Sequence, residues 1–166
     1  LYANIAEAIE VAPDRSWIIF HINPKARFSD GNTIMAEDVL SSFETLRQSG
    51  RPNVQSYYRK VTAAEIISPL SIRFAFEEEG RFEMPLIMGL MSVLPKSAFN
   101  NANFEKTSLT PLIGSGPYLV EKVEPGRRII YRRDKSFWGW HLPQNKGRHN
   151  FERIIYDYFR DDDVAL

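Results

Sequence analysis

The chain's only imidazoles are His21, His141 and His149, and it has no cysteine. No His-x-x-x-His pair is present, so a zinc centre would have to gather ligands from unrelated segments. His21 falls in a strand-like run and the other two in a loop, where structural or solvated roles are expected. Ser115 sits in Gly114-Ser115-Gly116. A nucleophile elbow needs Gly-x-Ser-x-Gly at a strand-to-helix turn, and Pro117 stands where that helix would begin, which argues against a serine hydrolase. Neither a dinucleotide glycine fingerprint nor a phosphate-loop Gly-Lys-Ser/Thr occurs. Glu77-Glu78-Glu79 beside Gly80 reads as a solvated turn, because glycosidase carboxylates must oppose each other across a cleft. Arg127, Arg128, Arg132 and Arg133 interleave with Ile129, Ile130 and Tyr131, the pattern of a sheet's wet face. Trp138 and Trp140 flank Gly139, where packing of the large rings is expected ahead of ligand stacking. Tyr57 and Tyr58 differ from these. They lie in a polar connection and offer flat apolar bodies with hydrogen-bonding tips, so one is expected in the core and the other at a groove.

The surrounding composition narrows the function. The 166 residues carry 21 Lys+Arg against 21 Asp+Glu. A net charge of zero argues against generic binding to nucleic acid or anionic membranes, which shows as a basic excess on one face. With 43% hydrophobic and 25% charged residues, the chain lies far from the composition of disordered segments. Its 11 Phe, 7 Tyr and 3 Trp suffice for a core without covalent staples. The lack of cysteine excludes disulfides and thiolate sites and leaves the compartment open. No apolar run approaches the roughly 18 residues of a membrane span. Length suggests one domain.

The elements that must position these residues form an α+β pattern. Residues 6–22 read as a hairpin turned at Pro13-Asp14-Arg15, with Ile18, Phe20 and Ile22 on one face. Ser29-Asp30-Gly31-Asn32 is a tight turn before a helix over 36–48, whose apolar positions Ala36, Val39, Leu40, Phe43 and Leu46 share a face. A short helix over 54–59, strands at 61–67 and 72–76, and a helix within 82–91 opened by Pro85 follow. Residues 100–110 read as loop, 117–123 and 127–133 as strands turned at Glu124-Pro125-Gly126, and 153–159 as a last strand. Asp161-Asp162-Asp163 suits a helix start, and the chain is expected to be cut from something longer.

Three ordered stretches carry a resemblance. Ala26-Arg27-Phe28-Ser29-Asp30-Gly31 with Ala36-Glu37-Asp38-Val39, then Ile113-Gly114-Ser115-Gly116-Pro117-Tyr118, then Asp134-Lys135-Ser136-Phe137-Trp138-Gly139 together resemble the signatures of family 5 extracellular solute-binding proteins, the dipeptide and oligopeptide receptors of ATP-driven importers. The run from Leu142 to Phe151 is similar to the subgroup of receptors for peptide antibiotics of the microcin C type. There are two departures: Met35 stands where the family has a threonine N-cap, and His141 stands where the subgroup tends to have an acidic residue.

The resemblance implies a mixed sheet with hairpins and peripheral helices, forming part of the N-terminal lobe of a type II periplasmic-binding-protein-like fold. Residues 25–111 would make a peripheral α+β subdomain, and residues 1–24 and 112–166 the sheet portion. It implies a non-catalytic, cofactor-free component that captures oligopeptides in the periplasm or at the outer cell surface and hands them to an ATP-driven membrane permease. The signature stretches themselves would be structural. By position, Tyr57 or Tyr58 would be the ligand contact. Relatives that take up nickel chelates or sugars widen the substrate class. Two other readings remain open: an interaction module docking a permease through an aromatic surface, and a hydrolase drawing on the scattered Ser, His and Glu.

Overall fold

The structure, a computed structural model, describes residues 4–98, 104 and 109–159. Most of the loop expected at 100–110 and the acidic cluster at 161–163 lie outside these. In chain order come β1 (Ala6–Val11), β2 (Trp17–Ile22), α1 (Ala36–Ser49), α2 (Pro52–Tyr58), β3 (Val61–Ser68), β4 (Ser71–Phe76), α3 (Met84–Gly89), β5 (Tyr118–Glu124), β6 (Arg128–Arg133) and β7 (Arg153–Asp157).

The α+β class stands, and among the described residues the strands form two antiparallel sheets, ordered β1-β2-β4-β3 and β5-β6-β7. Trp17–His21 pair residue for residue with Ser71–Ala75. The hydrogen bonding thus groups the hairpin of residues 6–22 with residues 61–76, whereas the sequence expectation grouped residues 1–24 with 112–166. The hairpin turn is set by Asp14, whose Oδ1 accepts bonds from the Ser16 amide at 3.1 Å and the Ser16 hydroxyl at 2.7 Å. Arg15 takes the left-handed conformation at φ 60°.

One face of the first sheet is the core. Ile18, Ile22, Ile72, Phe74 and Phe76 point from β2 and β4 toward α1, which returns Ala36, Val39 and Phe43, while Met84 and Met88 close the floor from α3. Phe74 is fully buried, with Phe43 edge-on at 5.3 Å and Phe20 at 6.2 Å between ring centroids. Burial of such a ring stabilises the fold by about 1.5–3 kcal/mol.

The first turn of α1 is only half capped. Met35 occupies the N-cap position with extended backbone and makes no side-chain cap bond. Asp38, three residues on, accepts the Met35 amide at 2.9 Å through one carboxylate oxygen and the Lys96 amide at 2.9 Å through the other. A threonine hydroxyl at residue 35 would satisfy one more free helix amide. Met35→Thr is therefore expected to stabilise the protein by about 1 kcal/mol, read as a raised thermal midpoint; an unchanged or lowered midpoint would count against the capping assignment.

In the second sheet, Tyr118–Glu124 and Arg128–Arg133 are joined by a tight turn with Gly126 at φ 71°. One face carries ion pairs: Glu124 with Lys122 at 2.7 Å and Arg127 at 3.1 Å, Arg128 with Asp157 at 2.9 Å, and Arg153 with Glu121 at 2.9 Å. The Lys122 hydrogen bond, aided by the charges of Lys122, Arg127 and Arg128, holds the Glu124 carboxyl below its ordinary value. Arg127, Arg128 and Arg132 fit the solvated-face reading, whereas Arg133, on the other face of β6, is half-buried over the Trp140 ring.

Candidate ligand-binding site

The three signature stretches, far apart in sequence, meet at the seam between the two sheets. Arg27, Phe28 and Gly31 from the turn before α1, Ser115 and Gly116 before β5, and Asp134 with Phe137 and Trp138 after β6 line one small cavity of about 120 Å³. The Ser29 amide donates to the Gly114 carbonyl at 2.7 Å, and the Trp138 indole N–H donates to the Ser115 carbonyl at 3.3 Å. Asp134 is buried; its Oδ1 accepts from the Ser136 amide at 2.9 Å and hydroxyl at 2.6 Å, and its own amide donates to the Pro117 carbonyl at 2.8 Å. Ser115 thus serves the seam through its backbone.

Phe137 is the hub of this seam, with Trp138 edge-on at 5.7 Å and Trp140 at 5.2 Å. Trp140 donates its indole N–H to the Asp134 carbonyl at 2.9 Å and lies 4.2 Å below the Arg133 guanidinium. Both tryptophans are packed, as the sequence suggested. Gly139 permits the arrangement: a Cβ there would lie 2.6 Å from Phe137 Cζ and 3.1 Å from Asn145 Nδ2. Gly139→Ala is expected to cost about 1–3 kcal/mol through displacement of the ring, measured by denaturant unfolding.

The two tyrosines separate cleanly. Tyr58 is 5% exposed and stacks on Phe43 at 5.5 Å, and burial pushes its phenol above its ordinary value. Tyr57 is 40% exposed, and it lies outside the linings of both cavities described here. The spacing held the signal, since Val54 and Tyr58 are four apart on one helix face and both pack on the core.

Histidine 21 gathers an unexpected trio. Its Nδ1 lies 2.9 Å from Ser71 Oγ and its Nε2 2.7 Å from Glu10 Oε1. Ser, His and Glu thus meet across three strands, but on the face opposite the core and outside both cavities, with Glu10 58% exposed. Both ring nitrogens are used in tying strands together. His149 sits between the rings of Tyr118 and Trp140, at 6.0 and 6.3 Å. Among the described residues, no group of three or more His, Cys, Asp or Glu could hold a metal ion. Glu77 and Glu78 belong to a turn, where Gly80 donates to the Glu77 carbonyl and Arg81 approaches Glu78 at 3.8 Å.

Sequence reasoning missed the larger concavity. An apolar groove of about 740 Å³ runs between β1 and α3, floored by Ile18, Phe20 and Phe74 and walled by Phe82, Leu86 and Leu90. Ile9 and Val11 overhang it at 57% and 39% exposure. The apolar residues Ile9 and Val11 of β1 are plain in the sequence, but whether they lack a cover depends on tertiary packing.

Comparison with known proteins places this architecture. Residues 1–166 match the family described as bacterial extracellular solute-binding proteins, family 5 Middle. A binding protein of Brucella melitensis, BMEII0691, is 42% identical over 163 residues, covering 98% of this chain and 26% of that protein. The peptidoglycan-binding protein YepA of Agrobacterium fabrum is 38% identical over 160 residues, covering 96% of this chain and 26% of that protein. The oligopeptide-binding protein AppA of Bacillus subtilis, solved with a nonapeptide, superposes with a TM-score of 0.76 at 19% identity, over 98% of this chain and 32% of that one, which shows a shared fold. The chain therefore spans about a quarter of the curated relatives it matches. Family match, sequence identity and fold agree with the seam built from the three signature stretches: the chain belongs to the family 5 bacterial extracellular solute-binding proteins.

Proposed function

We propose that this chain is part of the N-terminal lobe of a peptide receptor serving an ATP-driven importer. The receptor works outside the cytoplasmic membrane, captures oligopeptides between two lobes and delivers them to the membrane permease without chemical change. Membership of family 5 over the whole chain carries the reading. The names of relatives support a peptide-containing substrate, YepA as a peptidoglycan-binding protein and AppA as an oligopeptide-binding protein with a nonapeptide bound. Affinity would come from backbone hydrogen bonds and aromatic pockets that lobe closure shields from water. Within this chain Tyr57 is the proposed ligand contact, because its ring is available while that of Tyr58 is committed to Phe43.

The test is isothermal titration of the full-length protein with a pool of tri- to hexapeptides and, separately, with a soluble peptidoglycan digest. Micromolar or tighter binding to either supports the reading, and the arm that binds names the substrate. Silence in both overturns it. The chain alone lacks the second lobe and is expected to bind weakly; a submicromolar dissociation constant for it would refute capture between lobes.

A further inference from the structure

Of the four methionines, three serve the core: Met84 and Met88 are buried in it and Met91 packs against it. Met35 does not. It stands half-buried at the N-cap position of α1, with its side chain turned toward the Asp38 amide but making no hydrogen bond. A thioether is a weak acceptor, so the residue fills a capping position without capping.

The backbone of this turn leaves one donor over. The Ala36 amide donates to the Pro69 carbonyl at 2.9 Å, and the amides of Asp38 and Val39 donate to the Met35 carbonyl at 3.0 and 3.3 Å. The Glu37 amide, at the second helical position, has no acceptor among the described residues. That amide is one an N-cap side chain ordinarily serves. An oxygen atom on the Met35 sulfur would supply the acceptor, in the place where a glutamine at this position carries its Oε1. Its partial negative charge suits the positive end of the helix.

We propose that Met35 is an oxidation site whose sulfoxide caps α1, so that an oxidant tightens this helix end where methionine oxidation ordinarily loosens a fold. The oxidant is a peroxide. The sulfur lone pair attacks one peroxide oxygen, the O–O bond breaks and an S–O bond forms. Sulfur gives up two electrons, and the second oxygen leaves as water with both hydrogens. The Glu37 N–H then donates to the new oxygen. The same turn carries Asp38, which accepts the Lys96 amide at 2.9 Å, and Glu37, which pairs with the Lys96 ammonium at 2.8 Å, so the segment at Lys96 is steadied with it. Sulfoxide reductases reverse the reaction, which makes the cap a switch.

The test uses the full-length protein carrying Met91→Leu, treated with hydrogen peroxide, with oxidised residues located by peptide mass and amide hydrogen exchange followed at Glu37. Met35 is expected to gain one oxygen ahead of Met84 and Met88. Exchange at Glu37 should then slow about threefold or more, and the two sulfoxide reductases together should restore the original rate. Met35→Gln is expected to slow Glu37 exchange without any peroxide, and Met35→Leu to make it insensitive to peroxide. If Met35 resists peroxide until the core methionines react, it is covered in the whole protein and the proposal fails. It fails equally if Glu37 exchanges at the same rate or faster once Met35 is oxidised, or if Met35→Leu responds to peroxide in the same way.

Discussion

Tyr58→Ala is expected to lower the unfolding free energy by about 3–5 kcal/mol, whereas Tyr57→Ala shifts it by less than about 0.5 kcal/mol. The two residues are neighbours in sequence, but only Tyr58 lies against Phe43 in the core; Tyr57 is substantially exposed. Removing the buried ring leaves a cavity beside Phe43, which itself supports Phe74. Denaturant titration of both variants in the full-length protein measures the difference. On binding the order reverses: Tyr57→Ala is expected to weaken peptide affinity about tenfold with the fold intact, read by calorimetry. Equal stability losses would mean that the two rings share the core, and unchanged affinity in Tyr57→Ala would remove it from the ligand site.

Phe137→Ala is the second large effect, at about 3–5 kcal/mol. This ring is buried and touches both Trp138 and Trp140. The loss should be local. Hydrogen exchange is expected to accelerate in residues 118–133 and 153–157 more than in β2 and β4, whose core rests on Phe74 and Phe43. Uniform acceleration would show instead that the two sheets unfold as one unit.

What could be read from sequence was local. The hairpin at Asp14, the helix face of Ala36, Val39 and Phe43, and the turns at Gly31 and Gly126 each follow from a few neighbouring residues, and each is present. The pairing of β2 with β4 is different, because many strand pairs are compatible with alternating Ile and Phe. It is settled by Trp17–His21 meeting Ser71–Ala75 across some fifty residues. Local patterning carries no signal for that contact, which joins the first hairpin to β4. For the site, the i, i+4 relation of Val54 and Tyr58 could have separated the tyrosines. The groove could not have been seen, because an apolar residue on a strand is read as core until its covering element is known.

The order β1-β2-β4-β3 also sets a timetable for folding. The hairpins β1–β2, β3–β4 and β5–β6 each close across a short turn, an event of about 1–10 μs. Joining β2 to β4 must bring together segments separated by α1 and α2, and the entropy of closing that larger loop falls due before its contacts form. The hairpins can therefore form and dissolve many times before the first sheet assembles. Until then, Ile18, Ile72 and Phe74 are exposed together as adhesive surface, and the interval before β2 finds β4 is when the nascent chain is most prone to aggregation.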